Sequence, residues 1–540
     1  MKYFSKFALV ITSLLFLSSL TGCDMSAKEP LSSQSLMIES DLGVTLGSLV
    51  EIFSVNVSVV EGYGIVGGLE GTGSSECPDY LRAYFEKYID QQQANINVNE
   101  LLNSHETAVV VLQGITLAES TKGDFFDLRI KALSGTQTTS LKGGWLYTAY
   151  LKAAGRFGTS LKILAKAKGP VFIDTIDSRE QNERDGYVLA GGRILDDYML
   201  NLILREADYR KASIIRNRLN ERYGRDTAKA LSPNRIEVKV PSQYKKQKVK
   251  FVSILRSTYL SETDELTRKR ANAHARDLVV SDNKDISEAF LEAIGTASLG
   301  RLDALLNSSD AEVEFRAARC MLNIGDDEGL NVLRKIAMDK NSIYRTEALE
   351  AIAAGTRRKD MASISRRLLR DEDFDIKLAA YENLRKIDDI AITRTAVGDS
   401  FYIDKIAQAR QKKIFVSRSG KPRIALFGAP IYCRDNLFIQ SKDGTITINA
   451  PAGQKYVSLI RKHPRRPNVV LQLQSTFKLS DIIQTLCEST VSQDGSKGRV
   501  GLGVSYDEVI SILKQMSEKG AVEAEFYAGP MPKIGINIKK

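Results

Sequence analysis

Histidine is nearly missing from this chain. Its 540 residues include three, His105, His274 and His463, too few and too scattered to build a metal centre. Cysteine is almost as sparse: beyond Cys23 there are Cys77, Cys320, Cys433 and Cys487, at no metal-ligand spacing. A Cys433–Cys487 disulfide is an option the spacing leaves open. No Gly-x-Ser-x-Gly nucleophile turn occurs. Catalysis needs a convergent set of acids, bases or ligands, and none stands out, so the chain reads as non-enzymatic. The enzyme alternative is a glycan-cutting carboxylate pair, for which Asp124 and Asp127 are the candidates, with a solvated turn as the plainer reading. His105, just before a strand, reads as a surface residue. Also missing is any second apolar run long enough to cross a bilayer.

The one long apolar run, Phe7 to Leu20, follows Lys2 and Lys6 and has the length of a signal-peptide core. It ends in Leu20-Thr21-Gly22-Cys23, which resembles a bacterial lipobox. That resemblance implies a signal peptide over 1–22, acylation of Cys23 and a polar, Ser-rich tether over 23–40. Each buried acyl methylene contributes about 0.8 kcal/mol, so several chains hold a protein firmly on a membrane. An ordinary secretory signal that happens to carry a cysteine near its cleavage site is the alternative. Asp24 resembles an inner-membrane retention signal in enterobacteria, a rule that does not transfer widely, so inner and outer membrane both stay open. The expectation is a periplasmic, lipid-anchored protein. A formal charge of +10 and a pI near 9.1 suit anionic surroundings, peptidoglycan or another envelope polymer rather than nucleic acid. Two basic runs are the candidate contacts: Lys245, Lys246 and Lys248, then Arg461, Lys462, Arg465 and Arg466.

Glycine is concentrated in one place. Gly62, Gly64 and Gly67 spell Gly-x-Gly-x-x-Gly, which elsewhere opens a dinucleotide site if a helix follows. Here Gly68, Gly71 and Gly73 follow instead, and each glycine costs a helix interior about 1 kcal/mol against alanine. No nucleotide or other cofactor is therefore expected. The six glycines predict an extended loop after a strand ending near Val60, with positive φ and close approach of two backbones.

Residues 41–260 predict mixed α and β structure. Thr107–Leu112 has the composition of a buried strand, and Phe125–Leu133 alternates Phe126, Leu128, Ile130 and Ala132 with polar residues. Strands are also expected at Trp145–Leu151, Tyr187–Gly191 and Arg235–Val240, and a helix capped by Asp208 with Ile214, Ile215 and Leu219 along it. In order and spacing these pieces resemble the bacterial flagellar P-ring protein family. Gly62 to Gly73 match its Gly-Tyr-Gly-Leu-Val-x-Gly-Leu-x-Gly-Thr-Gly-Asp-like stretch nearly position for position, with Ser74 where the family usually has an acid. Thr107–Leu112, Asp127–Ser134 and Ser140–Gly144 match the strands and the Leu-basic-Gly-Gly element that follow. Asp208-Tyr209-Arg210-Lys211-Ala212 and Arg235–Pro241 match a later helix start and strand, so the resemblance covers about 41–255. It implies a structural, homo-oligomeric ring around the flagellar rod, acting with the outer-membrane ring proteins as a bushing. In that frame the six glycines would serve assembly or packing. The chain departs from the family in its lipobox and in its continuation.

That continuation repeats. Segments starting at Asp310, Asp339 and Asp371, about 30 residues apart, each run from an acid into an apolar, basic and small-residue helix. An Asp N-cap followed by alanine for close packing suits stacked helical pairs, and the pattern resembles HEAT repeats over about 285–395. Beyond residue 396 strands return: Lys421–Phe427, Leu437–Gln440 and Thr445–Ile448 read as a meander with an Asp443-Gly444 turn. Val469–Gln474, helices Leu479–Cys487 and Tyr506–Lys519, and Val522–Tyr527 follow. The expected fold is thus multidomain α+β: a mixed ring-type N-terminal region, a HEAT-like solenoid and a small α+β C-terminal domain. A lipid-anchored adaptor, using the repeats to recruit another envelope protein, is the competing reading.

Overall fold

The alternating segments between residues 46 and 260 fold into a barrel and an open sheet. A computed structural model describes residues 42–53, 58–90, 98–116, 120–154, 162–177, 182–195, 199–241, 244, 247–463, 466–489 and 500–534. Its first strands are β1 (Val50–Phe53), β2 (Ser58–Gly67), β3 (Thr107–Thr116), β4 (Phe125–Ala132) and β5 (Trp145–Ala153). They continue as β6 (Ala165–Pro170), β7 (Asp185–Ile194), β8 (Leu200–Leu204), β9 (Ala228–Ser232) and β10 (Arg235–Val238). Strands β2-β3-β4-β7-β6-β5 close into an antiparallel barrel, β5 returning to β2. Closure removes every sheet edge. The alternation read in the sequence explains the filling: Val60, Leu112, Leu128, Ile130, Leu146, Leu151 and Val188 are all fully buried inside. Outside, α2 (Asp79–Asp90) and α3 (Val98–Leu102), which follow the four-residue α1 (Leu46–Leu49), cover β2 and β3 through Leu81, Phe85 and Leu102.

The open sheet has the order β1-β8-β10-β9. Helices α4 (Tyr209–Tyr223) and α5 (Lys248–Arg256) back it, joining Ile215, Leu219, Phe251 and Leu255 to Leu202 and Ile236 in one core. Asp208 caps α4, its carboxylate accepting from Arg210 N at 2.7 Å and Lys211 N at 3.1 Å. On the helix itself Ile215 and Leu219 are buried, whereas Ile214 is half exposed.

Helices α6 (Asp264–Val280), α7 (Lys284–Ile294), α8 (Leu299–Asp303), α9 (Ala311–Ile324), α10 (Asp327–Met338), α11 (Arg345–Gly355), α12 (Arg358–Leu368) and α13 (Phe374–Lys386) form the array. Its caps correct the repeat reading in part. Asp310 caps α9, but the helix of the second copy starts six residues beyond Asp339, at Arg345, without a side-chain cap. In the third copy Asp373 is the cap, and Asp371 instead takes Arg345 Nη2 at 2.5 Å. The repeated acid is therefore conserved in position along the repeat but not in role: one caps, one turns, one pairs with an arginine.

The C-terminal strands are β11 (Thr393–Val397), β12 (Phe401–Ile406), β13 (Lys413–Val416), β14 (Arg423–Phe427), β15 (Leu437–Gln440), β16 (Ile446–Ala450), β17 (Val457–His463), β18 (Arg466–Ser475) and β19 (Glu525–Ala528). Helices α14 (Leu479–Cys487) and α15 (Tyr506–Glu518) accompany them. The expected meander shifts by one strand. β14 belongs to a mixed sheet, β11-β12-β14-β13-β19, where it runs parallel to β12, and the meander is β15-β16-β17-β18. β14 is buried along its whole length, as a central strand covered on both faces must be. Cys433 and Cys487 are both free thiols, so the disulfide option falls. The array's apolar core runs on through Tyr381 into Phe415, Ala425 and Phe427 of the mixed sheet.

Candidate functional site

Gly62, Gly64 and Gly67 lie within β2, not in a loop, which corrects the sequence reading. Their strand pairs with β3 without a break, Gly62 opposite Leu112, Gly64 opposite Val110 and Gly67 opposite Thr107. What makes glycine necessary there is space. A Cβ on Gly62 would stand 2.6 Å from Tyr150 O, and one on Gly64 would stand 2.8 Å from Leu146 Cδ1. On Gly67 the neighbour is the Tyr147 ring, 2.6 Å away at its hydroxyl, so this ring rests on a bare backbone. Left-handed backbone appears only past the strand, at Gly68 (φ 75°), Glu70 (φ 47°) and Gly71 (φ 88°). Gly73 then passes so close to β3 that a Cβ would lie 2.1 Å from Thr107 O. Hydrogen bonds from Gly73 N to His105 O (2.9 Å) and Ser74 N to Thr107 O (2.8 Å) hold it there. The next helix begins at Asp79, so no helix terminus meets the Gly-x-Gly-x-x-Gly segment. Ser74 is buried, and Glu76 supplies the local carboxylate, accepting from Gln137 N at 3.0 Å.

The barrel's outer wall beside this strand carries aromatic residues. Trp145, the one tryptophan of the chain, and Tyr147 are about two-fifths exposed on β5. Phe125 on β4 is half exposed, with Lys421 Nζ 4.8 Å and Arg193 5.8 Å from its ring centre. Aromatic side chains left in water on a folded wall are typical of contact surfaces.

The remaining sequence candidates are spread out. Lys248 is buried and donates to Ser120 O at 2.6 Å, so it cannot reach a polymer, a correction caused by its place at the start of α5. Arg461 donates to Leu502 O at 2.6 Å and lies 3.8 Å from Glu508, whereas Lys462 is exposed. Arg466 opens β18. Cys23, Lys245, Lys246 and Arg465 lie outside the described residues. Asp124 and Asp127 do not converge on a cleft. Asp124 accepts from Thr121 N and Oγ1, and Asp127 ties Ala190 N (2.6 Å) on β7 to Gly420 N (2.9 Å) of the C-terminal region. His105 is exposed and serves through its carbonyl.

Two joints of polar side chains had no local signal in the sequence, because their members are far apart along it. Glu288 on α7 is fully buried among Arg319 (Nε 2.7 Å), Arg316 (3.1 Å) and Lys250 (3.4 Å). Burial opposes its ionisation, but Lys250 and Arg319 more than offset this and hold its carboxyl at about 2. Lys250 lies on α5 beneath the open sheet and both arginines lie on α9, so this carboxylate joins the N-terminal region to the array.

The second joint ties the barrel to the C-terminal region. Lys142, in the Leu-Lys-Gly-Gly turn, stands 3.4 Å from Glu508 and 3.7 Å from Asp443. Arg418 lies between Asp174 and Asp177. Beside Glu508, Asp507 is buried with its Oδ2 unbonded among the described residues. Burial, reinforced by Glu508, pushes its carboxyl from 3.8 up to about 6, against opposing pulls from Ser505 and Lys142. The folded chain thus keeps a proton that the unfolded chain releases. Its contribution to stability is greatest below about pH 4 and is lost as pH rises through 6. Asp507→Asn is expected to match the parent at pH 4 and exceed its stability by about 2 kcal/mol at pH 8. Denaturant midpoints measured across that range check this, and identical pH profiles for the two proteins would refute it.

Residues 46–294 match the family model of the flagellar P-ring protein, and residues 298–385 match that of HEAT repeats. The chain is similar to the flagellar P-ring protein of Legionella pneumophila (strain Philadelphia 1), 26% identical over 260 residues, covering 45% of this chain and 68% of that protein. It is also similar to the flagellar P-ring proteins of Desulfotalea psychrophila (22% over 338 residues, 57% and 83%) and Thermotoga maritima (27% over 210 residues, 36% and 60%). The matched span includes the glycine strand, the whole barrel and the open sheet, and it ends on the helix that carries Glu288. The region 46–294 is a domain of the flagellar P-ring protein family, continued in this chain by HEAT repeats and a further β-rich region.

Proposed function

We propose that this protein is a structural, non-enzymatic subunit of an envelope ring of the flagellar P-ring type. The observation that carries the reading is the family match over 46–294, whose glycine strand builds a closed barrel. In this reading the ring is made of copies of the chain, encircles the flagellar rod in the periplasm and works with outer-membrane ring proteins and peptidoglycan. Acylated Cys23 tethers each copy to a membrane, and no helix among the described residues is long and apolar enough to cross one. The six glycines serve packing and assembly, and Lys462, exposed on β17, is available to an anionic polymer. A second reading, favoured by the HEAT match at 298–385, makes the array a recruiting surface for another envelope protein. Deleting the gene and imaging the envelope separates them. The ring reading expects rods without their ring and a loss of swimming. Intact rings with normal swimming would sink it. Metabolic labelling with a palmitate analogue, lost in Cys23→Ser, checks the anchor.

A further inference from the structure

Sheet edges attract other strands, and folded proteins blunt them by shortness, charge or cover. Most edges here follow that rule. β1 and β19 have four residues each and include Glu51 and Glu525, β9 includes Lys229, and β11 includes Arg394. The meander's edges are guarded less, by the Arg466-Pro467 start of β18 and by the shortness of β15. β18 has ten residues and pairs with β17 on one side, with no strand on its other side among the described residues. From Asn468 to Ser475 it has no charged residue, and Val469, Val470 and Leu471 are each nearly half exposed, so apolar side chains meet water on both faces of the strand. At the opposite edge β15 is also uncharged, and Phe438 is 60% exposed on its outward face.

The two edges are complementary. All neighbours in β15-β16-β17-β18 are antiparallel, so in a meander of four strands the first and last run in opposite directions. A second copy displaced along the sheet therefore presents its β15 antiparallel to β18 and continues the alternation. The contact uses different surfaces on the two partners, the head-to-tail type that closes into rings when the rotation between copies permits.

We propose that the free edge of β18 in one copy pairs with the free edge of β15 in the next, joining the meanders of successive subunits into one continuous belt. This rests on the ring reading above. It goes beyond it in placing a subunit contact at residues 437–475, outside the span that matches the P-ring family. The occupant is a second copy because one sheet supplies both edges, uncharged over Leu437–Gln440 and Asn468–Ser475, both with exposed apolar side chains and in opposite directions. Unpaired backbone groups supply the hydrogen bonds, and Phe438 covers Val470, which lies on the same face.

The test uses the full-length chain. Val470→Lys and Phe438→Lys change exposed side chains, so each variant should melt with the parent, yet each should fail to form rings by electron microscopy and sedimentation. Mixed together they should form dimers and nothing larger, because each supplies one intact edge. A symmetric β18–β18 contact would instead leave Phe438→Lys assembled. Separately, Phe438→Cys combined in turn with Val470→Cys, Gln472→Cys or Gln474→Cys, residues on the same outward face, should give an oxidised ladder of oligomers in one of the three. Neither partner alone should do so. Rings that persist in both lysine variants, with no ladder, overturn this contact and leave the ring reading standing. A parent chain that makes no ring in purified form or in the envelope overturns both.

Discussion

Glu288→Ala should cost about 3–5 kcal/mol, the usual penalty for removing one partner from a fully buried charge cluster. The loss is large because three cations face that carboxylate and the solvent cannot replace it. Lys250 keeps Glu292 at 2.8 Å, but Arg319 loses both of its bonds to Glu288, at 2.7 Å from Nε and 2.5 Å from Nη2. Because the carboxyl of Glu288 is held at about 2, below its ordinary 4.5, its contribution is complete above about pH 4.5 and disappears as pH falls through 2. The parent and Glu288→Gln should therefore converge in stability in strong acid and diverge above it. Lys340→Ala is the control within the same array. Its bridge to Glu372 joins two side chains that are 63% and 79% exposed, and its loss should stay within about 0.5 kcal/mol. Denaturant midpoints of the full chain decide the matter. Equal shifts for the two variants would remove any special place for Glu288.

Alanine in place of Gly73 is expected to be the most damaging small substitution in the glycine segment. The added Cβ falls 2.1 Å from Thr107 O and 2.7 Å from His105 O, and both are backbone atoms that cannot swing aside. Those carbonyls also accept from Ser74 N and Gly73 N, so relief means breaking the seam between the turn and β3. The cost should reach about 3 kcal/mol or more, at the top of the range for overpacking. Gly62→Ala meets Tyr150 O at 2.6 Å and should behave alike. Gly68→Ala meets nothing within 4 Å and carries only the left-handed penalty, about 1 kcal/mol. Gly67→Ala pushes on an exposed tyrosine ring that can turn away, so it should fold normally. Thermal midpoints of the four variants should rank in that order. A tolerated Gly73→Ala would mean that the seam opens without penalty.

Much of this architecture can be read from one sequence because strand and helix periods are local. Phe126 to Ala132 alternate in the text as they do in the barrel wall, and Asp208 sits one residue before the helix that it caps. The glycine segment misled for a physical reason. Glycine is a poor strand former, and only a partner strand far along the chain, with Tyr150 O or the Leu146 side chain pressed against it, explains why β2 continues through Gly67. β6, written Ala-Lys-Ala-Lys-Gly-Pro, has little of a strand's composition, yet it closes the barrel between β5 and β7. The sequence groups β14 with the meander because an apolar run shows that a strand is buried without showing which neighbours bury it. Glu288, Asp127 and Arg418 had no local sign, since their partners lie 31, 63 and 244 residues away.

The core shared by the array and the mixed sheet has a consequence for how the chain can be divided. Tyr381 on α13 places its ring 5.5 Å from that of Phe427 on β14, and its hydroxyl donates to Asp404 at 2.6 Å. A chain cut between α13 and β11 would leave Ile376, Tyr381 and Leu384 without their cover and take Tyr381 and Arg385 from the buried Asp404, which would keep Arg394. The repeats and the strands after them are therefore not interchangeable cassettes. Seen from the barrel they are one appendage, gripped at one end through Glu288 and at the other through Lys142 and Arg418, so that a load applied to the appendage reaches the P-ring domain at two points rather than one.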